Sequence, residues 1–541
     1  MKDWIKKSIV YQIYPRSFCD SNHDGIGDLQ GIISKLDYLS HLGVNVIWLS
    51  PVYQSPNDDN GYDISDYKSI NQEYGSMADM DELIKEAKKR HIRILMDLVI
   101  NHTSDEHEWF IKSKDSQSKY RDYYFWRKGL HNGQKPPNNW SGFFGPPAWE
   151  KDNESGDYYL HLFSKKQPDL NFYNPDVIEE IKSIMRFWLD KGIGGFRCDV
   201  INIIFKNSLD NGKKRLFLTG IEHYLSTDGC HNILKQLHKE VLSQYDCFTV
   251  GETVFVTTKT ANDLCGSDRK ELDMVFPFEH MESDQIMVKW FSCKFRPKRL
   301  IKTIVKWQNE LEWNANYLEN HDQPRSVSRF VHEGKFAEVS AKMLATLLLT
   351  LKGTPYIFQG QEIGMTNYPF TNIEEINDVE SQNINCLAKK MGIPQKLRFK
   401  MIQRKSRAHA RTPMQWNHSS YAGFSSVAPW IMVNPNYQTI NVESQLPLES
   451  SLVNYYKKLI HLRKTDDILI YGSFKAVKLN NDLFIFEREY KGKKDTILLN
   501  FSKNYIPLKN IIQGRVLLSN YNKTKIEDTL QPFESAIVRS I

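Results

Sequence analysis

Two residues of opposite charge stand two apart in the run Gly194-Gly195-Phe196-Arg197-Cys198-Asp199-Val200. On a β-strand that spacing turns both side chains to the same face. Polar residues of similar character stand toward the ends of three other apolar runs: Asp97 within RILMDLVI with Asn101 and His102 after it, Glu252 after CFTVG, and His321-Asp322 after NANYLEN. A lone Asp after a strand is more often a helix N-cap than a catalyst, and a lone His there is more often simply hydrogen-bonded. His102, Arg197, Asp199, Glu252, His321 and Asp322, six groups on four strand ends, are harder to explain as caps. Several carboxylates around one arginine suit glycoside hydrolysis, in which one carboxylate attacks the anomeric carbon and a second, kept protonated, donates to the leaving oxygen. Arg197 beside Asp199 would hold a nucleophilic carboxylate ionised.

Those groups can meet only if the strands lie side by side. Eight short β-rich runs recur, starting at Ser8, Val44, Arg93, Gly195, Cys247, Leu272, Asn314 and Thr354, with helix-like stretches such as GIISKLDYLSHLG, MDELIKEAKKRH and IEEIKSIMRFWLDKG between them. Strand–helix alternation predicts a parallel sheet, and eight units predict an α/β fold closed as a (β/α)8 barrel with its site at the strand ends. Apolar runs without alternation fit strands buried on both faces. The stretch between the third strand and the helix beginning near Asp176 is too long for a βα loop, so 104–172 reads as an inserted subdomain. The barrel then takes 1–103 and 173–465. From 466 to 541, runs such as DLFIFEREY and DTILLNF read as an antiparallel C-terminal β-sandwich domain.

DLVINH, GFRCDVIN, VGET and ENHD resemble, in order, the four signature regions of the α-amylase superfamily, glycoside hydrolase family 13. QPDLN at 167–171, ARTPMQW at 410–416 and GTPYIFQGQEIGMTN resemble its oligo-1,6-glucosidase subfamily. The resemblance implies Asp199 as nucleophile, Glu252 as general acid/base and Asp322 as the third carboxylate, with His102, His321 and Arg197 around the same glucose. It further implies Asp63 and Arg407 as a pair holding the non-reducing end, Tyr62 as stacking platform and Phe163 as a further substrate contact. Val200, directly after the nucleophile, accompanies α-1,6 cleavage in that subfamily, where Thr accompanies α-1,4 preference. The expected activity is therefore a retaining exo-α-glucosidase on isomaltose-like ends. An α-1,4-glucosidase or sucrase, a trehalose-6-phosphate hydrolase and a sucrose isomerase are alternatives with the same carboxylates. A catalytically dead barrel serving as a binding partner is the alternative outside enzymes, and the intact Asp199, Glu252 and Asp322 count against it. The chain departs from the subfamily at VGETVFVTT, at Gln361 and at Ala408-His409. These positions lie toward the leaving-group side and leave its preference open.

A metal loop is legible separately. Asp20, Asn22, Asp24 and Asp28 stand at positions 1, 3, 5 and 9 of a run with Gly25 at position 6. That is the front of a calcium loop, although Gly31 at position 12 rules out an EF-hand. The resembling enzymes hold a structural Ca²⁺ through these side chains and the Ile26 carbonyl; Mg²⁺ is the other candidate ion, and no organic cofactor is expected. Net charge is +6 over 541 residues with no dense basic stripe, which does not suggest nucleic acid. The seven cysteines are widely spaced and form no CxxC, which predicts reduced thiols in a cytoplasm. The N-terminus lacks a signal-peptide core and no apolar run reaches membrane-spanning length. A monomer acting on a small oligosaccharide, off the membrane, is the expectation.

Overall fold

The computed structural model describes residues 1–286, 288–331, 334–508 and 512–540. Its centre is a ladder of eight parallel strands: β1 (Val10–Ile13), β2 (Val46–Leu49), β3 (Arg93–Leu98), β4 (Gly195–Cys198), β5 (Phe248–Glu252), β6 (Met274–Phe276), β7 (Ala315–Asn316) and β8 (Thr354–Phe358). Each of the eight sequence runs contains one of them. Hydrogen bonds run from β6 through β5, β4, β3, β2, β1 and β8 to β7, and the two ends of the ladder lie against each other. This is the (β/α)8 barrel. Helices follow the strands, as in Met77–Lys89 and Pro175–Asp190, whose apolar faces bury Leu83, Ile84, Ile181 and Trp188.

Glycine decides how β4 enters the barrel. Gly195 adopts φ +136°, and a Cβ there would come within 1.9 Å of the Phe248 carbonyl oxygen on β5. Only a residue without a side chain permits that approach. The register that follows sets Arg197 level with Asp97 on β3 and Val250 on β5.

Residues 104–172 carry a small antiparallel sheet, Trp126–Arg127, Tyr158–Leu160 and Trp149–Lys151. The segment returns to the barrel by pairing Asp169 with His102 and Leu170 with Tyr124. At the C-terminus, β9 (Ser473–Leu479), β10 (Leu483–Tyr490), β11 (Lys493–Asn500), β12 (Arg515–Ser519) and β13 (Ser535–Arg539) form an antiparallel sheet in the order β9-β10-β11-β13-β12. Its two-residue alternation is plain in β10. Phe484 and Phe486 pack into the main core, while Leu483 and Ile485 pack with Leu498, Leu530 and Val538 on the other face. Helix Ala337–Thr350 is buried on nearly every side, with helix Leu452–Thr465 and strands β11 and β13 of this sheet packed on it. Two helices, Val379–Lys390 and Gln395–Gln403, follow β8; the sequence patterns gave no sign of this hairpin.

Candidate active site

Arg197 stands at the centre of the barrel mouth and is 1 % exposed. One guanidinium nitrogen contacts Asp97 at 2.5 Å and Asp199 at 2.6 Å, and the other contacts Glu252 at 2.5 Å. The level register of β3 and β4 makes the Asp97 contact, and the strand spacing of two makes the Asp199 contact. Asp97 is held from its far side by the indole N–H of Trp48 at 2.9 Å. A cation buried this deeply needs such partners. Asp97 therefore serves the arginine from below, while Asp199 and Glu252 face the cavity.

The expectation that Arg197 depresses the Asp199 pKa below its ordinary value is corrected by burial. Removal from water outweighs the guanidinium, and Asp199 is pushed up to about 6. Glu252 goes further, to about 8, because burial is reinforced by the negative charges of Asp199 and Asp322 against the opposing pull of Arg197. The two carboxyls hydrogen-bond each other. Near neutral pH this leaves Asp199 ionised and Glu252 protonated, two carboxyls driven to opposite roles by their surroundings. Both carboxyls reach the same guanidinium, Asp199 at 2.6 Å and Glu252 at 2.5 Å, and this closeness suits a retaining mechanism.

Asp322 is different again. Burial would raise it, but the guanidinium groups of Arg407 and Arg411 hold it well below the usual carboxylate range. Arg411 approaches at 2.8 Å and Arg407 at 3.6 Å. His321, kept neutral by burial with its pKa lowered to about 3, accepts from the Gln12 amide at 2.8 Å. Its other nitrogen meets the Tyr62 hydroxyl at 2.8 Å. The Tyr62 ring lies parallel to His321, 5.4 Å between centroids. His102 borders the cavity and donates Nε2–H to the Tyr62 carbonyl at 3.0 Å, so it also holds the platform residue in place. Behind it, Lys206 pairs with Asp169 (both fully buried) and donates to Asn101 at 2.9 Å. That pair pins QPDLN to the end of β3. Phe163 lines the cavity and stacks on Phe143 at 4.8 Å. Val200 lines it too, in the left-handed region at φ +34°, an unusual conformation for a β-branched residue.

One expected pair is overturned. Asp63 does not meet Arg407. Its carboxylate lies beneath the turn and accepts the backbone N–H groups of Asp58 at 2.8 Å and Asp59 at 3.0 Å. Asn60 and Gly61 both take positive φ, reversing the chain so that Asp59 rather than Asp63 enters the cavity. Asp59 meets Arg407 at 3.3 Å, and Arg407 also binds Asp378 at 2.8 Å. Burial pushes Asp63 up to about 7. Asp59, Asp378 and Arg411 were missed. Arg411 lies within ARTPMQW and could have been found there; Asp378 precedes the unforeseen helix hairpin and carries no local signal.

The cavity encloses about 290 Å³, at the small end for ligand sites. Of its charged lining, Asp59, Asp199, Glu252, Glu282, Asp322 and Glu380 are acids, against Lys289, Lys405 and Arg407. Each of those three cations has a carboxylate partner: Lys289 with Glu380 at 2.6 Å, Lys405 with Asp284 at 2.6 Å, and Arg407 as above. The catalytic-domain model of the α-amylase family matches residues 12–472. The chain belongs to this family of glycoside hydrolases. It is 49 % identical to the oligo-1,6-glucosidase of Parageobacillus thermoglucosidasius and 48 % to that of Bacillus cereus, each comparison covering 99 % of both chains. Among solved structures it is similar to a variant of the trehalose-6-phosphate hydrolase of Bacillus licheniformis (TM-score 0.94, 42 % identity, 99 % of this chain and 100 % of that one). It is also similar to an isomaltulose synthase variant of Erwinia rhapontici bound to sucrose (0.96, 40 %, 100 % and 99 %).

In the Asp20–Asp28 loop the carboxylates organise the loop itself. Asp20 accepts N–H groups from Asn22, His23 and Gly25 and the Ser425 hydroxyl. Asp28 accepts Ser21 N–H and O–H and caps the next helix through Gly31. Among the described residues no three His, Cys, Asp or Glu side chains converge as a metal-binding group. A cation here would lean equally on Asn22 Oδ1 and the Ile26 carbonyl, an all-oxygen set that fits a hard ion such as Ca²⁺. All seven cysteines are free thiols, and Cys198, beside the nucleophile, is buried with its thiol pushed up beyond the range of ready ionisation. Among the described residues no helix is long and apolar enough to cross a membrane.

Proposed function

We propose that the protein is a retaining, exo-acting α-glucosidase that removes α-1,6-linked glucose from the non-reducing ends of isomaltose and short isomalto-oligosaccharides. The observation that carries this is the Asp199–Glu252 pair around Arg197, with one carboxyl ionised and the other protonated near neutral pH. Asp199 attacks the anomeric carbon as Glu252 passes its proton to the leaving oxygen. Glu252, now ionised, takes a proton from the water that releases glucose from Asp199. Asp322, fixed by Arg407 and Arg411, grips ring hydroxyls. The Asp59–Arg407 contact closes the cavity behind one glucose, which favours cleavage from a chain end. The curated relatives named oligo-1,6-glucosidase and the apolar Val200 beside the scissile bond support the α-1,6 preference.

The phosphorylated-substrate alternative is disfavoured by charge. A phosphate would enter a cavity lined by six acids and three cations, each cation already matched. The sucrose-isomerase alternative finds no support in QPRSVSRFVHEG after Asp322, which reads as a hydrolase segment; its residues 332–333 lie outside the described residues. Calcium held by Asp20, Asn22, Asp24, Asp28 and the Ile26 carbonyl belongs to the same proposal as a structural ion, and no catalytic step runs through it. A reducing cytoplasm, in keeping with seven free thiols, and a monomeric state complete the reading. The test is initial hydrolysis rate on isomaltose, maltose, sucrose, trehalose 6-phosphate and starch. Isomaltose fastest, with free glucose and no starch breakdown, is expected; trehalose 6-phosphate or maltose fastest overturns the linkage.

A further inference from the structure

Three residues beyond Glu252, Phe255 combines features that packing does not require. It is 58 % exposed although aromatic, it takes a left-handed backbone at φ +52°, and its side chain lines the rim of the catalytic cavity. A bulky residue at positive φ is costly and persists only where its surroundings enforce it. Here the enforcement is visible. Asn202, on the segment after the nucleophile, clamps the preceding residue from both sides: its carbonyl accepts Val254 N–H at 3.0 Å, and its amide donates to the Val254 carbonyl at 2.9 Å. The backbone that delivers the proton donor thus also holds a phenyl ring, against its local preference, at the exit from the cavity. Phe278 and Phe144 line the same cavity, so the rim offers aromatic faces around the path that the departing group must take.

The geometry points to Phe255 as a specificity-determining residue for the leaving group, its ring stacking on the apolar face of the sugar or aryl ring that follows the scissile oxygen. The inference rests on the α-glucosidase reading. A sugar ring presents a C–H face to an aromatic side chain, and a phenyl side chain has few rotatable bonds to order on binding. The clamp sets the backbone from which the ring projects before substrate arrives.

The experiment compares kcat/KM for isomaltose with that for α-D-glucosyl fluoride, whose leaving fluoride has no ring to stack. Phe255→Gly accepts the positive φ and removes only the ring, while Phe255→Trp restores an aromatic face. The isomaltose-to-fluoride ratio is expected to fall about tenfold in F255G, mostly through KM for isomaltose, and to recover in F255W. A ratio within twofold of wild type in F255G, or one that F255W does not recover, overturns the role of Phe255. Failure of the wild-type protein to release glucose from either substrate would instead overturn the α-glucosidase reading, so the two failures are distinguishable.

Discussion

Replacing Glu252 by Gln removes the proton donor while keeping its size and its place beside Arg197 and Asp199. The pair titrates with apparent values of about 6 and about 8. Turnover needs the first group ionised and the second protonated, so kcat/KM should rise through the lower value and fall through the upper. From those values roughly four-fifths of the enzyme is in the productive form at pH 7, and about half at pH 6 or pH 8. In E252Q the loss should follow the leaving group. On isomaltose, whose departing alkoxide needs a proton, the rate should fall about 10²–10⁴-fold, the usual contribution of a positioned acid. On α-D-glucosyl fluoride, formation of the glucosyl-enzyme should fall far less, and its alkaline limb near pH 8 should vanish while the acid limb near pH 6 stays. Steady-state rates across pH 4.5–9.5, with pre-steady-state fluoride release, measure both. An alkaline limb that persists in E252Q would show that another group sets it and would refute the division of roles between the two carboxyls.

Asp59→Ala removes the Arg407 partner in the cavity and should raise KM for isomaltose at least tenfold with little change in Tm. Asp63→Ala strands the buried N–H of Asp59 and the part-buried N–H of Asp58 and should cost about 1–3 kcal/mol of stability, so Tm and activity should fall together; thermal melts beside kinetics separate the two variants. Val200→Thr should shift the maltose-to-isomaltose ratio of kcat/KM toward maltose by about tenfold, the scale of a small group in an apolar pocket. Lys206→Met leaves Asp169 buried without its partner and should lower unfolding stability by about 3–5 kcal/mol, read by urea denaturation. Chelation should lower Tm and added Ca²⁺ should restore it; no change on chelation would leave the Asp20–Asp28 loop a self-capped turn.

The barrel was legible because its signals are local: apolar runs of strand length, helical periodicity between them, and charged groups closing four of the runs. The spacing of Arg197 and Asp199 sufficed to put them on one face, whatever lay around them. Asp199, Glu252 and Asp322 were accordingly brought to one mouth as expected. Electrostatic balance was not legible. An arginine two residues away predicts a lowered carboxyl, but burial of the whole cluster reverses the sign at Asp199, and only the fold sets how much water is removed. The partner of Arg407 was equally hidden. Asp58, Asp59 and Asp63 are chemically alike in sequence, and positive φ at Asn60 and Gly61 selects which of them enters the cavity. Asp378 and Arg411 join the site across long stretches of chain through the helix hairpin after β8. Types and short spacings of residues thus determined the chemistry available to this protein. Tertiary structure decided which carboxylates share a cation and which stay in water, because desolvation and distant pairing depend on what packs against a side chain rather than on what precedes it.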